Sequence, residues 1–100
     1  MTPMEDDERW HVGARVELKH RLEVQLFDFK YSLGHSTFYE AWNAAGLVMG
    51  SISNMQDYGL LTPAEVVDYQ NQVRTAYGAA QPSDLDLFDQ IWMWDPLKND

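Results

Sequence analysis

The sequence predicts an all-α fold, a small bundle of three to four helices built around an αα-hairpin of residues 38–57 and 63–77. Three observations carry this reading. Thr62-Pro63-Ala64-Glu65 has the composition of a helix start, with a capping hydroxyl, a proline at the first helical position and a glutamate that closes a capping box. Apolar residues from Phe38 to Met55 recur at helical spacing. The segment before them, residues 14–32, contains no hairpin-turn signal.

Residues 14–32 can be read in two ways. Val16, Leu18, His20, Leu22, Val24 and Leu26 alternate with charged or polar residues, which is a strand pattern. The alternative fold is therefore α+β, with residues 15–31 as strands. Helix is favoured because most of these residues are good helix formers. Glu17 and Arg21 have the favourable four-residue spacing, and Gly34 ends the segment as a helix would end. As a helix it is apolar on two sides. Leu18, Leu22, Leu26 and Phe29 share one face, and Val16, His20, Val24, Phe27 and Tyr31 share the opposite one. The hairpin can cover one face, so the other needs the short last helix or a second copy of the chain.

Thr37, followed three residues later by Glu40, predicts a capping box and a helix from Phe38. Its inward positions are Phe38, Ala41, Trp42, Ala45, Val48, Met49, Ile52 and Met55. Ala44, Ala45, Gly46, Gly50 and Ser51 are small enough to admit a close neighbour. Gly59 ends this helix. The next one, 63–77, turns Val66, Tyr69, Val73, Ala76 and Tyr77 inward and stops at Gly78. Ser83 with Asp86 is expected to cap a last helix running to about Trp94, and Asp95-Pro96 ends it.

One hundred residues make one domain, 1–100, with an acidic, flexible N-terminus over 1–8 and a frayed end over 95–100 expected. Sixteen acids face seven bases, a net charge of −9, so direct nucleic-acid binding and an anionic membrane surface are disfavoured. The acids sit towards the ends. Residues 9–30 hold five bases against three acids, whereas 31–100 hold nine acids against Arg74 and Lys98. The absence of cysteine excludes disulfides and thiolate metal sites. The opening residues lack the basic and apolar pattern of a secretory signal, and the longest uncharged stretch, 41–56, falls short of the ~20 residues a membrane helix needs. A cytoplasmic location is the expectation.

Catalytic chemistry finds no support. His11, His20 and His35 are nine and fifteen residues apart and do not pair at metal-ligand spacing. Glu17-Leu18-Lys19-His20 matches one half of a di-iron motif that would have to occur twice. There is no nucleophile elbow and no phosphate-cradling glycine loop. Asp84, Asp86 and Asp89 lack the glycine and the bidentate glutamate of a calcium loop, and they also read as compensation of a helix dipole. Arg15, Lys19, Arg21 and Lys30 are interspersed with acids and read as a solvated face of ion pairs. No catalytic residue, metal ligand or cofactor is expected.

The remaining signal is the stretch from Ser83 to Asp95, where acids alternate with large apolar residues. Trp92 and Trp94 are two apart and would point in roughly opposite directions on a helix, so either one of them is exposed or in an interface, or both are buried because the tail crosses between two helices, and the sequence leaves both readings open. Asp84, Asp86, Asp89, Trp92, Trp94 and Asp95 are therefore the candidate partner-binding residues. The expected function is that of an acidic, non-enzymatic protein that docks on a basic surface of a protein partner, including one that normally holds nucleic acid. In class, though by no family motif, such short acidic chains resemble phage and mobile-element proteins that disarm host defences, CRISPR inhibitors among them. The alternatives are a self-associating assembly subunit, which would make the chain a homodimer, and a small-ligand-binding module.

Overall fold

The protein was analysed as a computed structural model that describes residues 3–35 and 37–97, with residues 3–11 described only by their backbone. It is an all-α bundle: α1 (Pro3–Ser32), α2 (Phe38–Asp57), α3 (Pro63–Ala80) and α4 (Leu85–Trp92), with short 3₁₀ turns at Leu33–His35 and Pro82–Asp84. No strand occurs among the described residues, so the α+β alternative for residues 15–31 is overturned. The physical reason is that this segment offers no second strand to pair with, while a helix buries Leu22, Leu26 and Phe29 together. Of the ends expected at 1–8 and 95–100, residues 3–8 belong to α1 and 95–97 follow α4, while 1, 2 and 98–100 lie outside the described residues.

The hairpin of α2 and α3 forms the centre. Thr37 Oγ1 accepts the Glu40 backbone N–H at 3.2 Å, but the Glu40 carboxylate turns to the Thr37 hydroxyl, not to its backbone, so only half of the expected box forms. The box at the start of α3 is complete: Thr62 Oγ1 accepts from Glu65 N–H, and Glu65 Oε1 accepts from Thr62 N–H. Between the helices, Gly59 adopts a φ of 71°, a left-handed conformation that favours glycine. Gly34 does not share it. It lies in the 3₁₀ turn that prolongs α1, which corrects its expected role as a left-handed stop.

The core follows the expected faces. Leu22, Leu26 and Phe29 from α1 and Leu33 from the 3₁₀ turn after it meet Ala41, Ala45, Val48, Met49, Ile52 and Met55 from α2 and Val66, Tyr69, Val73 and Tyr77 from α3, while Leu18, expected on the same face of α1, is exposed. Phe38 is the exception on α2, since the helix start leaves it 44% exposed. α3 runs three residues past its expected end at Tyr77. Gly78 stays inside the helix because Leu85 of α4 packs on it, with side-chain atoms 3.1 and 3.2 Å from where a Cβ would stand. Tertiary packing here overrides the local tendency of glycine to end a helix.

Candidate functional site

The C-terminal stretch singled out by sequence is folded against the bundle, and this decides which of its residues can meet a partner. Pro82 opens a single 3₁₀ turn and α4 follows directly. Asp84 occupies the N-cap position without a side-chain capping bond, so the expected Ser83/Asp86 box is not made. α4 has only eight residues and buries Phe88 completely. Phe88 stacks on Tyr77 with ring centroids 5.0 Å apart. Trp92 continues the cluster, 5.5 Å from Trp42, which itself meets Tyr77 edge-on at 6.0 Å.

Trp92 and Trp94 do not diverge as the first of the two readings expects. The helix ends at Trp92, and Met93 is extended (φ −89°, ψ 132°), so the two-residue spacing no longer sends the rings in opposite directions. Both indoles are half-buried and pack on the core. Trp92 lies over Gly46 of α2. Trp94 donates its indole N–H to Gln56 Oε1 at 2.8 Å, and its carbonyl accepts from Gln70 Nε2 at 3.2 Å. Gln56 Nε2 donates in turn to the Pro96 carbonyl at 3.0 Å. Two glutamines, one on α2 and one on α3, thus hold the segment that follows α4. Gln70 is buried, which is unusual for glutamine and is matched by this backbone partner.

Asp89 is also structural. It accepts two bonds from Arg74, Nε at 2.7 Å and Nη2 at 2.8 Å, in the bidentate geometry that suits a carboxylate. The guanidinium holds the Asp89 carboxyl below its ordinary range. Of the six candidate residues, then, Trp92, Trp94 and Asp89 are engaged within the chain. Asp84, Asp86 and Asp95 differ. Neither Asp84 nor Asp86 forms an ion pair with a described residue, and among the described residues Asp95 accepts only from its near neighbour Leu97 N–H.

The free part of this region lies on the outer side of α4. Leu87 and Ile91, four residues apart, are 44% and 54% exposed. Exposed Asp86 and Gln90 lie beside them, and half-buried Asp84 stands at the start of the helix. Sequence reasoning missed Leu87 and Ile91 because every apolar residue in the stretch was a candidate for the core, and only the docking of α4 selects Phe88 and Trp92. It also missed Gln56 and Gln70, for which no sequence signal exists. Arg74 carried a usable signal, being one of two bases beside nine acids in residues 31–100.

A second polar focus joins α1 to α3. Glu65 accepts from Arg15 and from Lys19, both at 2.6 Å, as well as from the Thr62 backbone. Lys19, Thr62 N–H and Arg15 together lower its pKa to about 2. Tyr69 donates to Glu23 at 2.9 Å, and burial followed by that carboxylate raises its pKa. Arg21 pairs with Glu17 within the helix, and Lys30 donates to Gln72. The basic group is therefore a set of ion pairs and hydrogen bonds, but only Arg21 pairs with an interspersed acid; Arg15 and Lys19 are half-buried and meet Glu65 of α3, and Lys30 meets Gln72. An open groove of about 610 Å³ runs between α1 and α3, lined by residues that include Glu23, Phe27, Lys30 and Asp68.

Among the described residues, no group of three or more histidines, aspartates and glutamates is placed to hold a metal ion, and no helix is long and apolar enough to cross a membrane. No family model, curated protein or solved structure matches the chain.

Proposed function

We propose that this chain is an acidic, non-enzymatic protein-binding protein that docks on a basic surface of its partner through the outer side of α4. The observation that carries this reading is the exposed pair Leu87 and Ile91 beside Asp84 and Asp86, which have no ion-pair partner among the described residues. Apolar side chains supply area to bury, and uncompensated carboxylates supply the attraction and the choice of partner. Asp89, Trp92 and Trp94 act beside this surface as its support, because Asp89 is paired with Arg74 of α3 and the two rings pack on the chain's own core. In the version we favour, the partner surface is one that binds nucleic acid. The acids then stand where phosphates would lie, and the chain inhibits by occupancy, as mobile-element proteins directed against defence systems such as CRISPR complexes do. The net charge of −9 supports this choice of partner surface.

The test starts from a partner captured with the tagged chain and then purified. Its affinity is measured across a salt series for the wild type, for Asp84→Lys/Asp86→Lys and for Leu87→Ala/Ile91→Ala. The reading requires binding to weaken with salt and to fall at least about tenfold in each double variant, with helicity unchanged. Binding that ignores salt, or that survives both variants, overturns it. Loss of binding on adding competing nucleic acid supports the occupancy version.

A further inference from the structure

The apolar second face of α1 remains open in the folded chain. α4 packs against α3 and, through Trp92, against Gly46 of α2, and leaves this face exposed. Val16, Val24, Phe27 and Tyr31 are 65%, 46%, 69% and 75% exposed, and His20 is exposed with them. α2 and α3 flank the opposite side of the helix, where Leu22, Leu26 and Phe29 are buried. A broad sector of α1 is therefore free of the rest of the bundle, and its residues are the large apolar ones that a solvated helix normally lacks.

The spacing within this face is regular. His20, Val24, Phe27 and Tyr31 follow one another at intervals of four, three and four residues, which is the seam of a two-helix coiled coil. Charged residues flank the seam in the positions that choose the partner and its direction: Arg21 and Asp28 along one side, Glu23 and Lys30 along the other. From these residues we infer that the face is the interface of an antiparallel homodimer, in which α1 pairs with α1 of a second copy.

The charges decide both the partner and the direction. In an antiparallel pair each flank meets the same flank of the other copy. With Val24 opposite Phe27 and His20 opposite Tyr31, Arg21 falls beside Asp28 of the second copy and Glu23 beside Lys30. The two-fold axis repeats both attractions. In a parallel pair the flanks cross, and Glu23 meets Asp28, which repels. One sequence thus complements itself in one orientation and opposes itself in the other. Glu23 and Lys30 are already steadied by Tyr69 and Gln72 of their own chain yet remain exposed, so that flank is ordered before the copies meet. This surface is separate from the outer side of α4, so the two proposals stand or fall apart.

The experiment uses the whole chain. Sedimentation velocity at up to roughly 100 µM is expected to show a dimer for the wild type and a monomer for Val24→Asp and Phe27→Asp. Both substituted positions are exposed in the single copy, and circular dichroism verifies that helicity is kept. Arg21→Asp places two acids together on that flank and should weaken the dimer at least about fivefold, and adding Asp28→Arg should restore it. Because the chain has no cysteine, Val24→Cys and Phe27→Cys read the direction. Mixed and oxidised, they should cross-link to each other in preference to themselves. The inference is overturned by a wild type that stays monomeric, by a dimer indifferent to both aspartate substitutions, or by preferential linkage of Val24→Cys to itself. Failure of the charge swap to rescue Arg21→Asp overturns the register.

Discussion

Gly46 of α2 lies directly beneath the ring of Trp92: a Cβ there would stand 2.9 Å from both Cζ2 and Cη2 of the indole. The ring is half-buried among Trp42 and the core, so it cannot swing freely away. Gly46→Ala gains helix propensity but pushes the indole off α2. We expect a net loss of about 1 kcal/mol from these opposed effects, read by chemical denaturation. Gly50→Ala on the same helix meets open space and should stabilise by roughly 0.5–1 kcal/mol. Equal gains from both substitutions would mean that Trp92 does not seat on Gly46.

Gln56 fastens the end of the chain to α2. Gln56→Leu leaves the Trp94 indole N–H and the Pro96 carbonyl without their partner. Each can turn to water because the segment is only half-buried, so the cost is about 1–2 kcal/mol. Tryptophan emission should shift to longer wavelength as Trp94 becomes solvated. Unchanged emission together with unchanged stability would show that the segment is held elsewhere.

Glu65 makes stability depend on acid. Its folded pKa of about 2 lies below the ordinary value of 4.5, because Lys19, Thr62 N–H and Arg15 favour the carboxylate. A depressed carboxyl contributes stability that is complete above its unfolded pKa and is lost as pH falls through the folded one. Stability should therefore decline between pH 4.5 and about 2, with this group accounting for about 1 kcal/mol after allowance for solvent screening. Glu65→Gln should reduce the slope of melting temperature against pH in that window and lower stability at pH 7. An unaltered slope would remove Glu65 as its source.

The hydroxyl of Tyr77 is buried and finds no hydrogen-bond partner among the described residues, while its ring is stacked on Phe88. Burial also raises its pKa, helped by the charge of Asp84. Tyr77→Phe keeps the stacking and removes the orphaned group, so it should leave stability unchanged or raise it by roughly 0.5–1 kcal/mol. A loss of more than about 1 kcal/mol would reveal a bonded hydroxyl, bridged by water.

What the amino-acid order determined by itself is local. The Thr62–Glu65 box, the helix end at Gly59 and the inward faces of α2 and α3 are legible because each depends on residues within a turn or two of one another. The two-sided character of α1 was legible for the same reason. Tertiary structure decided the rest. Which face of α1 is buried, how far α3 runs past Gly78, and where Trp94 points all depend on what docks from far along the chain: the α2–α3 hairpin, Leu85, and the amides of Gln56 and Gln70. The candidate site divided along that line. Its acids and aromatics could be named from their order, but the seating of Trp92 and Trp94 on the core, the pairing of Asp89 with Arg74 and the outward placing of Asp86, Leu87 and Ile91 came only when α4 settled on the bundle. A side chain's exposure is set by the surface it meets, and that surface is built from residues distant in sequence.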